Sequence, residues 1–106
     1  MAKYLIIGSY TAEGAKGVLK EGGSSRREAA RQVCESVGGT FESIHWGLGA
    51  DDYYVIADFP SYAAVVAASL TVGASGTSRA RTVALMSAED IDAASHTSVT
   101  FRPPGA

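Results

Sequence analysis

The segment from Gly38 to Asp58 constrains the fold more than any other part of the chain. Gly38-Gly39-Thr40-Phe41-Glu42-Ser43-Ile44-His45-Trp46-Gly47-Leu48-Gly49-Ala50-Asp51-Asp52-Tyr53-Tyr54-Val55-Ile56-Ala57-Asp58 holds two runs rich in β-branched and aromatic residues, separated by glycines and an aspartate pair. Phe41 to Trp46 and Asp52 to Phe59 therefore form an antiparallel pair of strands, with Gly47, Gly49 and Asp51-Asp52 supplying the turn. Pro60 has no backbone N–H to give to a ladder and ends the second strand.

The flanking segments fix what such a hairpin joins. Lys3 to Tyr10 is a short apolar run that suits a buried strand, and Thr11 to Gly23 follows as a short or irregular turn of helix. Ala15, Val18 and Leu19 have helical spacing there, but Gly14 and Gly17 each weaken a helix by about 1 kcal/mol relative to Ala. Ser25 stands three residues before Glu28 as a capping box, and Ala29, Ala30, Val33, Cys34 and Val37 recur at helical spacing up to Gly38-Gly39. Cys34 falls on that apolar stripe, where a buried small hydrophobe outweighs a reactive thiol. Ser61 caps an alanine-rich helix through about Val72 whose larger apolar members are Tyr62, Val65, Val66 and Leu70. Arg79 to Met86 returns as a last strand, Ala88 to Ala94 forms another turn or two of helix, and Ser98 to Arg102 is a further candidate strand before Pro103-Pro104. The order βαββαβ predicts an α+β, ferredoxin-like domain over residues 1–87, with a C-terminal extension over 88–106. Its two helices cover one face of a four-stranded antiparallel sheet. Strands apolar at both parities, such as Tyr4 to Ile7 and Tyr53 to Ala57, call for a second subunit over the other face.

Composition narrows the function classes. The 106 residues, 46% hydrophobic and 19% charged, match one globular domain. A formal charge of -2 with scattered Lys and Arg leaves no basic face for a nucleic-acid backbone. The run Tyr4 to Ile7 is too short for a membrane span or a signal-peptide core, which points to a cytoplasmic protein with no membrane partner. Cys34, His45 and His96 have no zinc-site spacing, and the glycines from Gly14 to Gly23 match neither a P-loop nor a dinucleotide fingerprint, so neither metal nor cofactor is expected.

Several short motifs carry a resemblance to a known family: Tyr10-Thr11 with Gly14 and Gly17-Val18-Leu19-Lys20, Arg26-Arg27-Glu28-Ala29-Ala30, Gly38-Gly39, and Trp46-Gly47-Leu48-Gly49 before the aspartate pair. From Tyr4 to about Met86 the chain resembles the GYD-domain family, whose relatives are small ferredoxin-like proteins of the dimeric α/β-barrel type. Where those relatives read Gly, Tyr, Asp in or near the turn, this chain has Gly49-Ala50-Asp51-Asp52-Tyr53. Asp52 stands for their aspartate, and nothing assigned to the tyrosine before it transfers. The resemblance implies a homodimeric α/β barrel and no particular reaction.

Candidate functional residues follow from chemistry. His45 is the only histidine within a predicted element, and a reference pKa of about 6.5 lets an imidazole exchange a proton near neutrality. Strict alternation places Phe41, Ser43 and His45 on one strand face and Ile44 with Trp46 on the other, unless a bulge intervenes. Asp51 and Asp52 can orient that imidazole or abstract a proton, or can serve as turn residues bonded to nearby amides. Arg81, with Arg79, can hold a carboxylate or form ion pairs with Asp52, Asp58 or Glu42 across a dimer. Tyr10, Tyr53, Tyr54 and Trp46 are polar-ended aromatics suited to lining a ligand cavity or filling a core.

Two functions are compatible with this pattern. One is a GYD-type protein that binds a small organic molecule in a pocket of a dimeric α/β barrel, with Tyr10, Trp46, Tyr54 and Arg81 as ligand contacts. The other is a metal-free, cofactor-independent monooxygenase or isomerase with His45 as general base and Asp52 beside it. A pocket containing His45 separates the second from the first.

Overall fold

A computed structural model describes residues 1–106. The chain runs β1 (Ala2–Tyr10), α1 (Ala12–Glu21), α2 (Gly23–Ser36), β2 (Thr40–Trp46), β3 (Tyr53–Phe59), α3 (Tyr62–Ala74), β4 (Ser78–Leu85) and α4 (Ala88–Ser95). The strands form one four-stranded antiparallel sheet in the order β2-β3-β1-β4, the ferredoxin-like arrangement of an α+β protein. No helix is long and apolar enough to cross a membrane.

Strand β3 sets the polarity of the sheet. Tyr53, Val55, Ala57 and Phe59 are buried, while the alternating Tyr54, Ile56 and Asp58 are half-buried on the opposite side. The buried set defines an inner face, which gathers Tyr4, Phe41, Cys34, Ala64, Val65 and Ala68 into the core. The Tyr4 and Phe59 rings meet edge to face at 5.9 Å between centroids. Helix α2 lies over β2, where the Arg31 guanidinium sits 4.7 Å above the Phe41 ring. Helix α3, capped by Ser61, packs over β3 and β4 through its small residues, and the larger Tyr62, Val66 and Leu70 line its exposed side.

Four local features differ from the sequence-based expectation. The first is α1, a regular helix of 10 residues capped by Thr11. Its inward side is Gly14, Gly17 and Val18, and Leu19 is 87% exposed. A Cβ on Gly14 would lie 1.9 Å from the Thr77 carbonyl oxygen, so glycine is what lets α1 press against the loop before β4. The second is the start of α2, which begins at Gly23 after Gly22 (φ 80°), so Ser25 lies inside the first turn and caps nothing. The third is a bulge between Phe41 and Ser43 that turns Phe41 inward with Ile44 and Trp46, leaving Ser43 and His45 on the outer face. The fourth is the tail: Ser98 to Arg102 forms no strand.

The chain's capping box is at α4, where Ser87 Oγ accepts from the Asp90 N–H at 3.1 Å and the Asp90 carboxylate accepts from the Ser87 N–H at 3.0 Å.

Candidate functional site

Between the helices and the inner face lies a chamber of about 240 Å³. It exists because α2 sits over β2 while α3 sits over β3 and β4, leaving the middle of the inner face with no side chain large enough to fill it. Ile6, Ile44, Val55 and Phe59 form its floor, Val33 and Cys34 one wall, Val65, Ala68 and Val72 the other. Helix α1 closes one end with Gly14, Gly17 and Val18, and the rim carries Glu13, Glu21 and Arg26. Arg26 Nη1 and Glu21 Oε2 form an ion pair there at 3.5 Å.

Apart from the charged rim at α1, a polar cluster stands at the end nearest β4. Tyr53 lies over Gly8, whose missing Cβ would stand 1.8 Å from the Tyr53 ring carbon Cζ. Its hydroxyl meets Ser78 Oγ at 2.6 Å, and Ser78 Oγ donates to the Ser9 carbonyl at 3.3 Å, so the phenol is the donor in the first bond. Burial pushes the Tyr53 phenol above its ordinary pKa. The Tyr10 and Tyr53 rings lie 5.2 Å apart at a tilt of 42°. Trp46 Nε1–H donates to the Tyr10 hydroxyl at 2.9 Å, which leaves the Tyr10 hydroxyl hydrogen with no acceptor in the protein. Cys34 is 3% exposed, and burial raises its thiol pKa, which disfavours the thiolate.

The candidate residues divide into two sets. Tyr10, Trp46 and Asp52 converge. The Asp52 carboxylate accepts from the Tyr10 backbone N–H at 2.8 Å, and the Asp52 N–H donates to the Gly8 carbonyl at 2.8 Å, so this turn residue fixes the end of β1 while Trp46 holds the Tyr10 ring. His45, Tyr54 and Arg81 lie elsewhere. With Ile7 they make one lateral row across the outer face, His45 opposite Tyr54, Tyr54 opposite Ile7, and Ile7 opposite Arg81. His45 is exposed, forms no hydrogen bond and lines no part of the chamber. Arg81 Nη2 bonds Asp51 Oδ2 at 3.0 Å, so both aspartates of the turn are held by groups other than His45.

Ser78, Cys34, Val18 and Gly17 were not among the candidates drawn from the sequence. Gly17 left a trace: a glycine within a helix that meets no neighbour within 4 Å of a would-be Cβ has no packing reason to be there. No group of three or more His, Cys, Asp or Glu side chains is placed to hold a metal ion.

No curated protein and no solved structure is significantly similar to the chain. The model of the GYD domain matches residues 4–95, which spans β1 through α4, and the chain belongs to the GYD domain family.

Proposed function

We propose that the protein binds a small, largely apolar organic molecule in the chamber, and that it does so as a homodimer whose subunits meet through the outer face of the sheet. The chamber carries this reading. Packing in protein interiors leaves few spaces larger than a water molecule, and a concave space of about 240 Å³ lined mostly by apolar side chains with a few polar groups at its ends has the character of a small-molecule site. A cavity of about 150 Å³ suffices for benzene, so a substituted or fused ring matches this one. The aromatic pair Tyr10 and Tyr53 offers the faces on which a ring can stack, and the free Tyr10 hydroxyl hydrogen offers one donor to an oxygen on it.

The test uses indole and 1-naphthol as probes, followed by titration calorimetry, together with native mass spectrometry of the purified protein for a copurified compound. Saturable binding is expected for the natural chain. Gly17→Trp, which directs an indole into the chamber from a position with open space around it, is expected to abolish binding while keeping the circular dichroism of the fold. No binding of either probe together with no copurified compound, or equal binding by the plugged variant, overturns the chamber as a ligand site. Sedimentation tests the dimer separately, and a stable 10.9 kDa species at micromolar concentration overturns it.

A further inference from the structure

The C-terminal arm, Met86 to Ala106, belongs to no surface of its own chain. Every residue of it is exposed, and α4 buries none of its side chains. The radius of gyration is 17.1 Å and the longest dimension 57 Å, against about 13 Å of radius for a domain of this length. An isolated helix shorter than about 12 residues is marginal in water even with good capping, and α4 has 8. Met86, Ile91, Val99 and Phe101 stand 67%, 55%, 79% and 73% exposed along this arm. A short capped helix followed by such residues is built to lie against something.

We propose that the arm of each subunit docks on the β4 margin of the outer face of the other, so that two arms are exchanged across the dimer. This rests on the homodimer proposed above. Charge complementarity selects the surface. Glu89 and Asp92 of α4 have no cationic partner in the chain, and Asp90 is engaged only in the cap. On the outer face Lys3 is paired with Glu42 and Asp58, and Arg81 with Asp51, whereas Arg79 has no carboxylate partner. Arg79 and Arg81 border a shallow hollow over Ile7, and Val83 and Leu85, 43% and 36% exposed, continue the apolar margin along β4. The other uncovered apolar stripe, Tyr62, Val66 and Leu70 on α3, lies on a helix with no charged residue and offers the α4 carboxylates nothing. Only Met86 and Ser87 join β4 to α4, and the capping box fixes the second of them, which aims the arm away from its own sheet. A two-fold axis then makes the exchange mutual.

An isotope-filtered NOE spectrum of a 1:1 mixture of 13C-labelled and unlabelled full-length protein tests this directly. Cross-peaks between copies are expected from Ile91, Val99 or Phe101 to Val83 or Leu85. Arg79→Glu is expected to weaken the dimer about tenfold, and adding Glu89→Arg to restore part of the loss. Both positions are exposed and unpaired, so neither change touches the folded core. Cross-peaks from the arm to the sheet within one copy only, or no such cross-peaks in a protein that is dimeric, overturn the exchange and leave the dimer standing. A monomer at every concentration overturns the dimer itself and the exchange with it.

Discussion

Both faces of the sheet carry apolar residues, with charged ones confined to the outer face, and the two are unequally filled in the fold. On the inner face, Tyr4, Phe41, Val55, Ala57 and Phe59 are packed by α2 and α3. On the outer face, Leu5, Tyr54 and Ile56 are half-buried and Val83 and Leu85 exposed, bordered by the Lys3–Glu42–Asp58 cluster at one end and the Arg81–Asp51 pair at the other. Lys3 Nζ lies 2.5 Å from Glu42 Oε1 and 3.2 Å from Asp58 Oδ2, and those hydrogen bonds, Glu42's first, raise its pKa. Ion pairs at such exposure contribute little to stability, so they border the outer face without replacing a cover. Hydrophobicity at both parities states that both faces want partners. It leaves open which partner comes from the same chain.

The sharpest way to separate the faces is to damage each. Phe59 is 2% exposed at the centre of the core, and Phe59→Ala is expected to cost about 3–5 kcal/mol in urea unfolding. Val83→Asp on the outer face is expected to leave the subunit folded and abolish self-association in sedimentation. If Val83→Asp instead unfolds the subunit, the outer face is part of the chain's own core.

Helix α1 offers a finer contrast, because its two glycines serve different surroundings. Gly14→Ala drives a Cβ to 1.9 Å from a backbone carbonyl, which cannot rotate away, and is expected to destabilise by about 1–3 kcal/mol. Gly17→Ala meets nothing within 4 Å and is expected to stabilise by up to about 1 kcal/mol through helix propensity alone. Thermal unfolding of both variants checks the pair, and equal effects would show that the chamber end of α1 is packed.

The same helix shows where the sequence was legible. Strand β3 was, because a run of aromatic and β-branched residues lies between the Asp51-Asp52 turn and Pro60, and so was Ser61, whose side chain caps α3 as its position before an alanine-rich run requires. Helix α1 was not, since propensity counts Gly14 against a helix while the fold uses its bare Cα for a close contact with Thr77. The Ser25–Glu28 spacing misled because Gly22, at φ 80°, breaks the chain earlier and starts α2 at Gly23. The capping box that does form, Ser87 with Asp90, uses the shorter carboxylate. A one-residue bulge at β2 sufficed to move Phe41 across the sheet, and no residue type in that strand announces it. Of the site, Tyr10, Trp46 and Asp52 were legible as polar-ended or charged residues beside glycine turns. The chamber was not, because it is a gap between α2 and α3, a property of how elements sit and not of any segment.

Protonation gives a smaller contrast between the faces. Cys34 and Tyr53, both buried on the inner side, have pKa values raised above their ordinary 9.0 and 10.0, chiefly by burial. A raised folded-state value means that the native protein keeps its proton after the unfolded chain has released it. Their contribution is therefore fully present below the ordinary thiol range and declines as pH climbs from there through the folded values. Urea unfolding between neutral and alkaline pH is expected to show that decline, reduced in Tyr53→Phe. Iodoacetamide is likewise expected to label Cys34 slowly in the folded protein and quickly in urea.

The smallest expected effect is the most informative about where the chemistry lies. His45 sits on the outer face, exposed and without a hydrogen bond, opposite Tyr54, and is separated from the chamber by the sheet itself. His45→Gln keeps a side chain of similar length and polarity at an exposed strand position, so unfolding is expected to change by less than about 0.5 kcal/mol. Binding of indole or 1-naphthol is expected to be unchanged, because no atom of the ring reaches the chamber. Lost binding with an unaltered melting temperature would place the ligand on the row His45, Tyr54, Ile7 and Arg81 instead, inside the proposed dimer interface, and would make the outer face the functional one.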